Sequence, residues 1–112
     1  HRYKVRLEVW ASGLDDVGRV IDFGAIKELV GGWIDEHLDH AFIAQDDDKE
    51  MLAFLRASGS KHYVFPGPPS AERIAEHLYN VAARMLLTRG VRLVSVRVHE
   101  TPNCWAVHRP DR

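Results

Sequence analysis

Two short motifs place titratable side chains where a proton could be moved at neutral pH. Asp39-His40 follows a segment of helical periodicity, and Glu100 opens the sequence Glu100-Thr101-Pro102 at the end of a β-branched run. An imidazole beside a carboxylate, with a second carboxylate elsewhere, is the minimum set of groups for general acid–base chemistry at neutral pH. The dipeptide also has a purely structural interpretation, in which Asp39 caps a helix end and His40 fills a boundary position.

The first motif depends on an amphipathic helix that must end just before it. Asp22 stands at an N-cap position, and apolar residues recur at helical spacing from Phe23 to His37. This spacing predicts a helix of about four turns. Gly31-Gly32 in its middle should cost about 1 kcal/mol each relative to alanine, so tertiary packing must hold the helix.

The remaining periodicities predict an α+β domain. Strands are expected over residues 2–10, 62–65, 91–99 and 105–107, a short helix after the acidic run 46–48, and a longer helix from the N-cap Ser70 to Gly90. The alternation in residues 2–10 is typical of a half-buried antiparallel strand. We therefore expect helices packed on one face of an antiparallel sheet, in a single domain over residues 1–112.

Composition excludes several classes of partner. The chain has 112 residues, 46% hydrophobic and 28% charged, with a formal net charge of −1, which is the ordinary balance of a globular protein. Such a charge gives no reason to expect nucleic-acid or anionic-membrane binding. No apolar run approaches the roughly 20 residues of a membrane span. The single Cys104 rules out an internal disulfide and is compatible with a reducing cytoplasm.

The chain opens on His1 and enters its first predicted strand at once. We expect that a natural N-terminal segment, including a strand, precedes this residue.

Four segments taken together resemble a known family. These are Gly18–Phe23, Leu38-Asp39-His40, Pro69-Ser70-Ala71-Glu72 and Glu100-Thr101. In this order they resemble the motifs G-M-V-x-D-F, L-D-H, P-T-x-E-N and E-T of the 6-pyruvoyl-tetrahydropterin and 6-carboxy-tetrahydropterin synthase family. The resemblance implies a tunnelling fold, an antiparallel sheet carrying helices on one face. It also implies trimers whose sheets close a barrel, usually paired into hexamers, with active sites between subunits.

The resemblance implies a lyase of pterin or deazapurine metabolism. Its expected substrate is 7,8-dihydroneopterin triphosphate, and its expected cofactor is a zinc ion that polarises the substrate side chain. The first expectation is a 6-carboxy-tetrahydropterin synthase of the queuosine route. The alternatives are a 6-pyruvoyl-tetrahydropterin synthase, or a non-catalytic pterin-binding or truncated relative.

The resemblance also assigns roles to individual residues. Asp39 and His40 match the catalytic pair. Glu100 is expected to be catalytic with them, and it matches the carboxylate that anchors the pterin through two parallel hydrogen bonds. Ser70 and Glu72 match further pterin contacts, although helix capping is an alternative role for them.

The metal site is represented in this sequence by one residue. His1 matches one of the family's three zinc-binding histidines; the other two histidines and the loop with the catalytic cysteine are absent from this sequence. Cys104 does not stand at the position of that cysteine and inherits no role.

Overall fold

The structure is a computed structural model that describes residues 3–11 and 23–110. In chain order its elements are β1 Lys4–Ala11, α1 Phe23–His37, β2 Phe42–Gln45, α2 Lys49–Ser58, β3 His62–Phe65, α3 Ala71–Leu87, β4 Val91–Thr101 and β5 Cys104–His108. The predicted cap Asp22 and the predicted loop after β1 lie outside the described residues.

Within the described residues, the main sheet has three strands in the order β1-β4-β5, and both pairings are antiparallel. One face is apolar because Val5, Leu7 and Val9 alternate with charged residues along β1, and they pack against the main core. Helix α3 covers this face by packing on β4 and β5, and α1 contacts α3. The helices thus lie on one face of an antiparallel sheet, as the sequence predicts.

A second, smaller unit follows α1 and precedes α3 in the chain. Strands β2 and β3 pair in parallel, with Phe42 opposite His62 and Gln45 opposite Phe65, and α2 connects them. This unit has its own small core of Ala44, Leu52 and Leu55. Strand β2 and the parallel pairing are absent from the sequence prediction, which gives β3 alone.

Helix α3 begins at the predicted cap Ser70 but ends at Leu87, before the predicted end at Gly90. The Ser70 hydroxyl accepts a hydrogen bond from the amide of Arg73 at 3.3 Å, and the Asp48 carboxylate accepts one from the amide of Met51 at 3.2 Å. These side chains satisfy amide groups that the first helical turn leaves unpaired. Helix α2 ends at Gly59, whose φ of 69° is one that glycine adopts without steric cost.

No helix within the described residues is both long and apolar enough to cross a membrane.

Candidate functional site

The Asp39–His40 motif lies in a tight turn between α1 and β2. The amides of Leu38 and Asp39 both donate to the carbonyl of Ile34, at 2.8 and 3.0 Å, and the amide of Ala41 donates to Leu38 at 3.1 Å. His40 has a φ of 56°. Histidine is among the residues that tolerate this left-handed conformation best after glycine. The chain therefore reverses at His40 and enters β2.

The two side chains of the motif approach each other in solvent. Nε2 of His40 lies 3.6 Å from Oδ2 of Asp39, and the side chains are 91% and 56% exposed. A pair in this arrangement can exchange a proton with a bound molecule, because neither group is covered by the protein.

An open cleft of about 660 Å³ begins at this turn. Its walls come from β1, α1, β2, α3 and β4, and its lining residues are Tyr3, Val5, Ile34, Leu38, Asp39, His40, Ala41, Phe42, Ile43, Ile74, Leu78 and Val98. Mostly apolar walls with a few polar groups at one end are typical of small-molecule sites of this size. Asp39 and His40 are the titratable pair of this cleft.

The other predicted site residues lie elsewhere in the chain. Ser70 caps α3 and Glu72 is in its first turn, both exposed, while Glu100 is exposed near the end of β4. None of these three lines the cleft with His40. A single chain therefore brings Asp39 and His40 together and leaves the proposed pterin contacts outside their cleft. His1 lies outside the described residues.

Glu100 occupies an irregular position in the sheet. His99 pairs with Trp105 and Thr101 with Cys104, so Glu100 is an extra residue on β4 without a partner on β5. Such a bulge changes the direction of a side chain at a strand end and is common beside active sites.

The neighbouring His99 lies on the sheet face that carries no helix. Its ring is 5.4 Å from that of Trp105. Burial lowers the pKa of His99, and the cationic Arg6, Arg97 and Lys4 lower it further, although a backbone hydrogen bond at Thr101 acts in the opposite direction. This face is thus cationic, and Arg6 stands directly opposite Arg97 in the pairing of β1 with β4.

A second pair of titratable groups, at which no site was predicted from the sequence, lies between β3 and α3. The Tyr63 hydroxyl and Nε2 of His77 are 2.6 Å apart, and the rings of Trp33 and His37 lie beside them. Burial raises the pKa of Tyr63, while burial and then the charge of Arg84 lower the pKa of His77. No motif marks this pair, because its members are distant in sequence and come from different elements.

The described residues do not provide a complete metal site. Over residues 3–11 and 23–110, no three histidine, cysteine, aspartate or glutamate side chains group so as to hold a metal ion. A zinc site needs three protein ligands when a substrate or water takes the fourth position. These residues alone therefore do not fit the zinc ion that the resemblance implies, and we derive no step through a metal.

Comparison with known proteins identifies relatives along the whole chain. The family model for 6-pyruvoyl tetrahydropterin synthase matches residues 1–111. A protein of Rickettsia conorii called 6-carboxy-5,6,7,8-tetrahydropterin synthase is 40% identical over 94% of this chain and 78% of its own length. One of the same name from Bacillus subtilis is 32% identical over 100% of this chain and 68% of its own.

A solved structure supports the same relationship. The crystal structure of an uncharacterized protein from Wolinella succinogenes superimposes with a TM-score of 0.80 at 25% identity, covering 98% of this chain and 77% of that one. The α+β tunnelling-fold prediction is confirmed. The chain belongs to the 6-pyruvoyl tetrahydropterin synthase family.

Proposed function

We propose that this protein is a 6-carboxy-tetrahydropterin synthase, a lyase that acts on 7,8-dihydroneopterin triphosphate. The observation that carries the proposal is the Asp39–His40 pair at the end of an apolar cleft large enough for a small molecule. The names of the Rickettsia and Bacillus relatives favour the carboxy product over the pyruvoyl product.

The residues of this chain have separable roles in the proposal. The walls of the cleft bury the flat faces of the pterin ring and exclude water. His40 takes and returns a substrate proton, while Asp39 orients the imidazole and stabilises its charged form. Ser70, Glu72 and Glu100 bind the pterin edge, since a carboxylate accepts two parallel hydrogen bonds from adjacent N–H groups.

These roles require more than one subunit. Glu100, Ser70 and Glu72 lie outside the cleft of their own chain, so we propose that a homo-oligomer, a trimer or hexamer, brings them to the cleft of a neighbouring copy. Strands β1 and β5 support this, because they are the two edges of the main sheet as the described residues form it, and an edge strand can pair with another copy.

The pathway and the cellular compartment of the reaction belong to the same proposal. We place it in the queuosine route and in the cytoplasm, where the exposed thiol of Cys104 would stay reduced. Zinc as cofactor, with His1 among its ligands, stays a prediction.

Product analysis with 7,8-dihydroneopterin triphosphate tests the function. We expect the 6-carboxy product together with acetaldehyde; a 6-pyruvoyl product without acetaldehyde would indicate the other synthase. Binding of the pterin without turnover would instead indicate a non-catalytic relative.

A substitution at Glu100 tests its proposed role in binding the pterin. Glu100→Gln removes the charged acceptor, so the Kd for the substrate should rise about tenfold or more, as expected when a hydrogen bond to a charged group is lost. Glu50→Gln is the matched control, because Glu50 is an exposed carboxylate in the first turn of α2. Calorimetry measures both, and equal affinity in the Glu100→Gln protein would show that the anchor is assigned to the wrong residue.

A further inference from the structure

We infer that Lys61 is a positioning residue for the Asp39–His40 pair, an inference that rests on the function proposed for that pair. Lys61 comes directly before β3, well separated in sequence from the motif. Its Nζ donates to the carbonyl of Asp35 at 3.0 Å and to the carbonyl of Asp39 at 2.6 Å. Both acceptors are at the C-terminal end of α1 or in the turn that follows it.

Lys61 holds this turn at both ends. Its side chain binds the carbonyl of Asp39, and its own carbonyl accepts a hydrogen bond from the amide of Phe42 at 3.0 Å. Asp39 and Phe42 flank His40 and Ala41. Lys61, the residue directly before β3, thus fixes the backbone on either side of the segment that carries the imidazole.

The backbone must set the direction of this imidazole, because the side chain has little packing to hold it. The His40 side chain is 91% exposed, and its φ of 56° is unfavourable for a residue with a Cβ atom. An ammonium group at a helix C-terminus satisfies carbonyl oxygens that lack partners within the helix and complements the helix dipole. Lys61 therefore stabilises the conformation in which His40 is presented at the cleft.

Removal of this ammonium should affect turnover more than binding. The turn would gain alternative conformations, and the imidazole would spend less time in line with the substrate. The cleft walls that come from β1, α3 and β4 would be unchanged. A loss in kcat with little change in KM distinguishes this role from a contribution to pterin affinity.

The experiment compares Lys61→Met, Lys61→Arg and, as control, Lys49→Met, which removes another exposed lysine at the start of α2. We expect Lys61→Met to lower kcat about ten- to a hundredfold, the loss typical of a displaced catalytic group, with KM within about twofold. Lys61→Arg keeps donors for both carbonyls and should retain about a third of kcat or more. Lys49→Met should match the wild type.

Hydrogen exchange supplies a readout that does not depend on the reaction. The amide of Ala41 bonds within the turn, and we expect its protection in Lys61→Met to fall about tenfold or more as the turn opens. The positioning role would be overturned if the Ala41 amide of Lys61→Met kept its protection. It would also be overturned if that protection were lost while kcat stayed unchanged. If Lys61→Met does not fold, Lys61→Gln with one neutral donor group replaces it in the same comparison.

The two proposals fail differently. A wild-type protein that does not convert the pterin triphosphate contradicts the proposed function, and the catalytic role of Lys61 falls with it. Only the inference about Lys61 is contradicted if the wild type is active and Lys61→Met is fully active although its Ala41 amide has lost protection from exchange.

Discussion

At the scale of single residues, two histidines show what a sequence motif can and cannot reveal. His40 was identified because it stands beside Asp39 in a recognisable motif, and the structure places it in the lining of the cleft. His77 has no such marker, since its hydrogen-bond partner Tyr63 is 14 positions earlier on a different element. Contacts of this kind depend on the tertiary fold, and single-sequence patterns carry little information about them.

The His77 environment predicts a pH dependence of stability. Because folding lowers its pKa below the ordinary 6.5, the unfolded chain binds more protons near and below that pH, and the free energy of unfolding rises with pH. The contribution of neutral His77 to the free energy of unfolding is complete above pH 6.5 and is lost as the pH falls through and below this value. Urea unfolding at about pH 5 and about pH 8 measures it.

The matching variant is His77→Gln, whose amide keeps a hydrogen-bonding group near Tyr63. It should reduce the pH dependence without abolishing it, because the pKa of His99 is also lowered. An undiminished dependence in the variant would contradict the assignment to His77.

At the scale of elements, long periodic segments were predictable and a short strand was not. Helices α1 and α3 and strand β4 were predicted because each combines a sustained period with recognisable ends. Strand β2 has four residues, of which only Ala44 is buried, so its period is too brief to detect. The Lys61 contacts to α1 were unpredictable for a related reason, since they join residues 22 and 26 positions apart.

The same substitution, glycine to alanine, should change the free energy of unfolding in opposite directions at Gly32 and Gly59. A Cβ added at Gly32 in α1 or at Gly59 after α2 would meet no atom within 4 Å, but only Gly59 has a positive φ, 69°. Gly32→Ala should therefore stabilise the protein by about 0.5–1 kcal/mol. Gly59→Ala should destabilise it by about 1 kcal/mol, because alanine is strained in that conformation. Urea unfolding of the two variants should give shifts of opposite sign; stabilisation by both would refute this reasoning.

At the scale of the whole molecule, family and fold were predictable, whereas a site shared between subunits was expected only from the family resemblance. Motifs in order along the chain predicted the tunnelling fold, because each marks the end of an element. The chain separates Asp39 and His40 from Glu100, Ser70 and Glu72, and no pattern within one sequence gives the geometry between subunits. Among the described strands, β1 and β5 form the edges of the main sheet, and such edges are the structural reason to propose these subunits.

Light scattering after gel filtration tests the assembly. We expect a mass three or six times that of the 12.8 kDa chain, maintained on dilution into the micromolar range. Closure of the sheet edges gives the physical reason, since it pairs backbone groups that a monomer leaves to solvent. A mass of one chain at every concentration would remove the basis for a shared site and leave the isolated cleft as the candidate.

The small β2–α2–β3 unit has a consequence for how the protein would lose activity. Its core of Ala44, Leu52 and Leu55 is separate from the main core. Phe65, the partly buried Ile43 and Tyr63, and the hydrogen bonds of Lys61 to the end of α1 and the turn after it connect the unit to the rest. Units with few buried contacts open more readily than the global fold. Since Lys61 borders this unit and the His40 turn leads into it, local opening here would move Asp39 and His40, the proposed catalytic pair, away from the cleft while the sheet of β1, β4 and β5 stayed folded. Inactivation under mild stress would then precede denaturation and reverse when the stress is withdrawn.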